Sequence, residues 1–173
     1  LLLVAGHVTT TNLLANAVRT LAERPDALGT VRDAARSGDE TTLDRTIEEV
    51  VRFRSPAQLA TRIALDDATV AGREIAEGDP VVTWIQAANR DPRVFENPDT
   101  FDPTRHPNPN IAFGRGPHAC LGSHLAKAEA RIVLEVLFER VDDLELVETA
   151  YEPVEASFLN GVQELPIRYE RAD

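Results

Sequence analysis

Phe113-Gly114-Arg115-Gly116-Pro117-His118-Ala119-Cys120-Leu121-Gly122 is the stretch on which the reading of this chain turns, and it holds the only cysteine. Gly114 and Gly116 carry no Cβ, so the backbone can turn sharply there and come close to a flat ligand. Residues 121–141 read as a long helix. Cys120 then stands at the start of that helix, where unpaired N–H groups and the positive end of the helix dipole favour an anionic sulfur.

A haem iron with one axial thiolate needs such an arrangement, because nearby donors hold the sulfur and tune it. Two other readings stay open on the residues alone. A lone cysteine is often a small buried hydrophobe. It can also be a nucleophile, with His118 or His124 as its base. Neither accounts for the Phe-Gly-x-Gly run that leads into the cysteine.

The chain has 173 residues, enough for one ordinary domain with a core. It contains no methionine, and its first residues are already apolar and helix-like, so it is expected to begin inside an element of a longer protein. The net charge of -11 argues against a nucleic-acid binder, which needs basic surface to neutralise phosphates. One cysteine allows no internal disulfide and fits a reducing, cytoplasmic setting. The apolar opening is interrupted by Gly6, His7 and a threonine run, too early for a membrane span, and it lacks the basic flank of a signal peptide.

Apolar residues at helical spacing predict a helix over residues 1–24, with Leu13, Leu14, Ala17, Val18 and Leu21 on its inner face. Pro25 opens a second helix over 25–35, which Ser37-Gly38-Asp39 ends. A third, over 42–54, turns Leu43, Ile47, Val50 and Val51 inward and stops at Ser55-Pro56. Residues 61–82 alternate β-prone runs with turns at Ala71-Gly72 and Gly78-Asp79-Pro80. Residues 84–89 read as helix, and the Pro-, Asn- and Gly-rich stretch 97–117 as a functional loop. The tail, 145–169, reads as β structure, with Phe158-Leu159 and Leu165-Pro166-Ile167 flanking a turn near Asn160-Gly161.

The cysteine stretch resembles the haem-binding signature of the cytochrome P450 family, Phe-x-x-Gly-x-x-x-Cys-x-Gly, and matches it at Phe113, Gly116, Cys120 and Gly122. Glu49-Val50-Val51-Arg52 resembles the family's Glu-x-x-Arg helix, and Ala5-Gly6-His7-Val8-Thr9-Thr10 its oxygen-binding helix. Ala88-Asn89-Arg90-Asp91-Pro92 and Arg105-His106-Pro107-Asn108 are similar to stretches of bacterial members, so the resemblance covers essentially the whole chain. It implies a mainly α fold with small β-sheets, the C-terminal part of a single P450 domain over 1–173 whose N-terminal half is absent. It also implies a haem-thiolate monooxygenase that inserts one atom of dioxygen into a lipophilic or natural-product substrate. A truncated, non-catalytic haem-binding remnant and a peroxide-using or isomerising member are the rival readings.

The resemblance also assigns roles. Cys120 is the axial ligand of haem b, in a cradle that includes Phe113, Gly114 and Gly122, with Arg62 and His118 on the propionates. Thr9 stands beside the oxygen site, and Gly6 leaves room for dioxygen. Glu49, Arg52 and Arg105 form a structural cluster in which Arg105 is expected to bridge Glu49 bidentately and pin the loop. Leu2, Leu3, Ala57, Gln58, Leu59, Phe158 and Leu159 face the substrate. Electrons come ultimately from NAD(P)H through a ferredoxin-type donor on the Cys120 face. Residues 103–128 contain no acid, while Arg105, Arg115 and Lys127 are basic, which suits an acidic donor. One position departs from the family pattern: Val8 stands where an acid usually precedes the threonine, and valine carries no proton. Slower or leakier turnover is expected from it.

Overall fold

The structure is a computed structural model that describes residues 2–147 and 151–172. Three helices follow one another at its start: α1 (Leu2–Ala22), α2 (Pro25–Ser37) and α3 (Glu40–Phe53). Pro25 suits the first turn of α2, where its missing N–H is no loss. Gly38 closes α2 with φ +74, a left-handed conformation that glycine adopts freely. Asp39 then caps α3 by accepting the Thr42 N–H at 3.1 Å and the Thr42 hydroxyl at 2.7 Å.

The three helical predictions hold, apart from residue 1, which lies outside the described residues. Leu13 and Leu21 of α1, Val31 of α2 and Leu43, Ile47, Val50 and Val51 of α3 are buried together. Each such side chain stabilises the fold by about 1.5–3 kcal/mol.

Past α3 the chain forms β1 (Leu59–Ile63), β2 (Ala68–Val70), β3 (Arg73–Ile75) and β4 (Pro80–Trp84). β2 and β3 make a hairpin whose turn, Ala71-Gly72, has positive φ at both residues, the geometry that twists two strands together. β1 pairs antiparallel with β4. Trp84 belongs to β4, opposite Leu59, and not to the helix expected from residue 84. The helix is the short α4 (Ile85–Ala88). No helix or strand follows until a 3-10 turn at Gly116–His118.

The last helix, α5 (Ser123–Arg140), begins two residues later than expected. The Cys120 N–H donates to the Phe113 carbonyl at 2.8 Å and holds the cysteine in the loop, with Gly122 as the N-terminal cap residue. Ala130, Leu134 and Phe138, four apart, bury one face of α5 against α2 and α3. Leu125, Ile132, Val133 and Val136 form a second apolar stripe that is open to solvent. β5 (Val141–Leu146) follows directly and pairs antiparallel with β6 (Ile167–Arg171).

The β-rich tail is therefore only partly as expected. Its part at 148–150 lies outside the described residues. Between β5 and β6 the described segment makes two isolated bridges, Ala57 with Leu159 and Pro153 with Val162. Some of its backbone bonds are local, such as Val154 N–H to Gly161 O at 3.2 Å and Gln163 N–H to Glu152 O at 3.0 Å, and two join it to the stretch before β1: Gln58 N–H to Phe158 O at 2.8 Å and Asn160 N–H to Pro56 O at 2.8 Å. The architecture is mainly α with small two-stranded sheets, as the sequence implies. Among the described residues, no helix is long and apolar enough to cross a membrane.

Glu23 ties the ends of two core helices. It accepts from Arg54, which caps α3, at 2.6 Å and from Arg19 of α1 at 2.9 Å. Burial alone would raise its carboxyl, but the hydrogen bonds and charge of Arg54, with those of Arg19 and Arg24, hold it below 4.5. A depressed folded-state value means that the stabilisation is full above the unfolded value and lost as pH falls through the folded one. Glu23→Gln should lower Tm by about 2–4 °C at pH 7, the shift that roughly 1 kcal/mol produces in a chain of this size. The gap to wild type should close as pH falls below 4.5. Thermal melts followed by circular dichroism between pH 3 and 7 check this, and a gap that does not change with pH contradicts it.

Candidate functional site

The site is built upward from α3. Its inner side buries Glu49 and Arg52 completely, three residues apart on one face. The Arg52 Nε and one terminal nitrogen each donate to a separate Glu49 oxygen, both at 2.7 Å. The other guanidinium hydrogens go to the carbonyls of Asn89 at 2.9 Å, Pro98 at 2.8 Å and Thr100 at 3.0 Å. All five Arg52 donors are thus used, as a buried cation requires.

Glu49 is saturated from the loop side. It accepts from Asp102 N–H at 3.0 Å, from Asn108 Nδ2 at 3.0 Å and from Arg105 Nε, which lies 3.1 Å from both oxygens. Here the geometry corrects one expectation. The bidentate partner of Glu49 is Arg52, while Arg105 offers a single shared N–H. Its other nitrogens reach Glu96 O at 2.9 Å, Thr100 O at 3.2 Å and Asn97 O at 3.4 Å. The cause is local: Arg52 shares a helix with Glu49 and takes the fork first, and Arg105 approaches from the loop edge. Arg105 therefore holds both the carboxylate and the irregular backbone around it.

The cluster anchors the stretch that leads to Cys120. Asn89, fully buried, accepts the Ile111 N–H at 2.9 Å and donates to Ser55 Oγ at 3.1 Å. Asn110 accepts the Ala112 N–H at 3.2 Å. Phe113 then packs beside the core, and its carbonyl receives the Cys120 N–H. Gly114 and Gly116 have φ near +70, so the two sharp turns expected there are present. A side chain at Gly114 would be strained by that φ, and its Cβ would touch the His118 carbonyl at 3.7 Å. At Gly122 the nearest atom to a built Cβ is the Cys120 sulfur, at 4.0 Å.

Cys120 is exposed and free. This corrects the open reading of a small buried hydrophobe. Nor does a base stand against the sulfur: neither His118 nor His124 is hydrogen-bonded to it among the described residues. The cradle fits a flat group with a thiolate ligand. The sulfur is exposed, α5 has no side-chain cap to occupy its first N–H groups, and apolar Leu121 and Leu125 follow it in the chain and are exposed as well. Arg62 and His118, expected on the propionates, are exposed, and Arg62 donates to the neighbouring Thr61 carbonyl, at 2.8 Å.

On α1, Gly6 has no atom within 4 Å of a built Cβ, so the space next to it is open. The Thr9 hydroxyl donates backward to Ala5 O at 2.6 Å, and Thr11 does the same to His7 O at 2.9 Å. The Thr9 oxygen remains able to accept a proton donor. Of the expected substrate-facing residues, Ala57, Gln58, Phe158 and Leu159 are brought together: Gln58 Nε2 donates to Leu159 O at 2.8 Å beside the 57–159 bridge. Leu59 is half-buried in β1, and Leu3 lies exposed on α1. The Leu2 side chain lies outside what is described.

Two basic residues of the acid-free window are already matched. Arg105 serves Glu49, and Lys127 pairs with Glu48 of α3. Arg115 donates to the Pro109 carbonyl at 2.9 Å and has no carboxylate partner among the described residues. The sequence reading missed Asn89, Asn108, Asn110 and Glu48. Asn108 and Asn110 carried a signal, since asparagines inside a long Pro-rich loop often bond backbone groups.

A family model described as cytochrome P450 matches residues 1–162. A biotin biosynthesis cytochrome P450 of Bacillus subtilis (strain 168) is 40% identical over 172 residues, 98% of this chain and 42% of its own length. Cytochrome P450-terp of a Pseudomonas species is 38% identical over 168 residues, 97% of this chain and 38% of its own. Among solved structures, P450BioI in complex with hexadec-9Z-enoic acid ligated acyl carrier protein superposes with TM-score 0.89 at 38% identity, over 96% of this chain and 42% of that one. CYP109E1 from Bacillus megaterium in complex with testosterone gives TM-score 0.88 at 40% identity, over 96% and 45%. The chain thus spans about two fifths of the length of the relatives it matches.

Removing the charge of Glu49 leaves two guanidiniums uncompensated, one of them fully buried. Glu49→Gln should cost about 3–5 kcal/mol of unfolding free energy. Arg105→Lys should cost less, because the amine keeps the charge and loses the fork. Urea titrations of the three proteins check the order, and a Glu49→Gln loss under 1 kcal/mol, the range of a surface pair, contradicts it.

Proposed function

This chain belongs to the cytochrome P450 family, and from that premise we propose that it carries the haem-thiolate portion of a monooxygenase. The observation that carries the reading is the exposed Cys120 at the end of a loop whose base is the buried Glu49 cluster. The family implies haem iron as the cofactor. Haem, when bound, supplies the activation of dioxygen, which no side chain can perform.

The residues supply the rest. The Cys120 sulfur would hold the iron, and Arg62 and His118 would neutralise the propionates. Thr9 would hold a proton donor, a water or the substrate, at its hydroxyl oxygen. Gly6 leaves space for dioxygen. Ala57, Leu59, Leu159 and Phe158 would exclude water and seat an apolar molecule, held by the Gln58 bonds. A lipophilic substrate is the class proposed. The fatty acyl and testosterone complexes of the two structural relatives support that class.

Electrons would come from NAD(P)H through a ferredoxin-type donor that docks on the Cys120 face, where Arg115 has no carboxylate partner among the described residues. The lone thiol suits a reducing, cytoplasmic setting. Val8 favours a second reading, in which peroxide replaces the donor and dioxygen, since valine offers no proton relay.

The test is the absorption of the reduced, carbon-monoxide-bound protein. Wild type should show the long-wavelength Soret band of a thiolate ligand, and Cys120→Ala should lose it. An unchanged band in Cys120→Ala overturns the reading. Product formed with peroxide alone, in the absence of any electron donor, decides for the second reading over the first.

A further inference from the structure

Glu48 stands next to Glu49 on α3 but is only partly buried, on the side facing the loop and α5. Its carboxylate pairs with Lys127, the only lysine of the chain. It also accepts from Asn110 Nδ2 at 2.9 Å. The Lys127 ammonium lies 5.2 Å from the centre of the Phe113 ring, within cation–π range.

Three elements meet at this point. Glu48 comes from α3, Lys127 from the second turn of α5, and Asn110 and Phe113 from the loop between them. Asn110 fixes the Ala112 N–H, and Phe113 fixes the Cys120 N–H through its carbonyl. A second polar chain, Asn110 Nδ2 to Asn108 Oδ1 at 3.2 Å, joins this group to the one around Glu49. The two groups hold different parts of the loop: Glu49 bonds Asp102, Arg105 and Asn108, while Glu48 bonds Asn110 and its partner Lys127 lies over the Phe113 ring.

We propose that Glu48 and Lys127 are positioning residues for Cys120. With Asn110 and Phe113 they form an outer clamp that fixes the cysteine end of the loop against α3 and α5. The division of labour follows from burial. The Glu49 cluster is closed to water and sets whether the loop is held at all. The outer pair is about one-third exposed on each side chain, so its Coulombic strength is modest. Its effect is local because the residues it holds, Asn110 and Phe113, accept the Ala112 and Cys120 N–H groups. The clamp also explains why an acid-free window from 103 to 128 tolerates a lysine so near the loop: the counter-charge comes from α3. The functional part of this inference rests on Cys120 being the haem ligand; the clamp itself does not.

The test uses the haem-loaded protein and three variants: Lys127→Met, Glu48→Gln and Lys127→Arg. Residue-resolved amide exchange should be about tenfold faster at Ala112 and Cys120 in the first two, with Asp102 unchanged, as expected for a local opening. Lys127→Arg, which keeps charge and ring contact, should exchange like wild type. In the same samples the reduced carbon-monoxide spectrum of Lys127→Met and Glu48→Gln should show a larger share of the short-wavelength band of a displaced thiolate. Unchanged exchange at Cys120, or an equal acceleration at Asp102, overturns the clamp. A wild type without the thiolate band defeats the haem-ligand reading and leaves the exchange result to decide the clamp on its own.

Discussion

The Glu49 carboxylate receives hydrogen bonds from two guanidiniums, an asparagine amide and a backbone N–H in a place closed to water. Isolated in such a place, a carboxylate would cost several kcal/mol in lost hydration. It is tolerable only because every donor around it is held at hydrogen-bond distance. That demand works in both directions. Arg52 comes from α3 itself, but Arg105, Asn108 and Asp102 come from a stretch with no helix or strand to order it. The charge therefore imposes one conformation on a loop that its composition would leave free.

From that constraint the route to the cysteine is short. The loop leaves the cluster at Asn108, passes Asn110, and packs a half-buried Phe113 against the core. Two glycines at positive φ turn it, and the Phe113 carbonyl takes the Cys120 N–H. The sulfur ends just ahead of α5, exposed and, among the described residues, without a hydrogen-bond partner. A thiol held outward on a fixed loop is what a large planar ligand with one axial bond requires, and a thiol that served packing would be turned inward.

The helices were legible because their apolar spacing has one reading. Leu43, Ile47, Val50 and Val51 permit little but a helix packed on one side, and Gly38 and Pro56 mark its limits. The signature around Cys120 was legible because it is long. Trp84 was misplaced because an aromatic residue suits a strand end as well as a helix start, and only its pairing with Leu59 decides. The tail was over-read as strand because its described middle is held by local turn bonds and by two bonds to Pro56 and Gln58, about a hundred positions away, in place of a ladder. Distance along the chain also hid the Glu48 contacts with Asn110 and Lys127, 62 and 79 residues off. A charged face inferred from residues 103–128 alone had to be revised for the same reason, since two of its cations are matched from α3.

X-ray absorption at the iron edge of the haem-loaded protein addresses the central claim directly, that a loop held by Glu49 presents Cys120 to the metal. One sulfur neighbour in wild type, reduced or lost in Glu49→Gln under conditions where circular dichroism shows its helices intact, is the predicted result. A wild-type iron surrounded only by nitrogen and oxygen, or a sulfur shell indifferent to Glu49→Gln, would contradict the account.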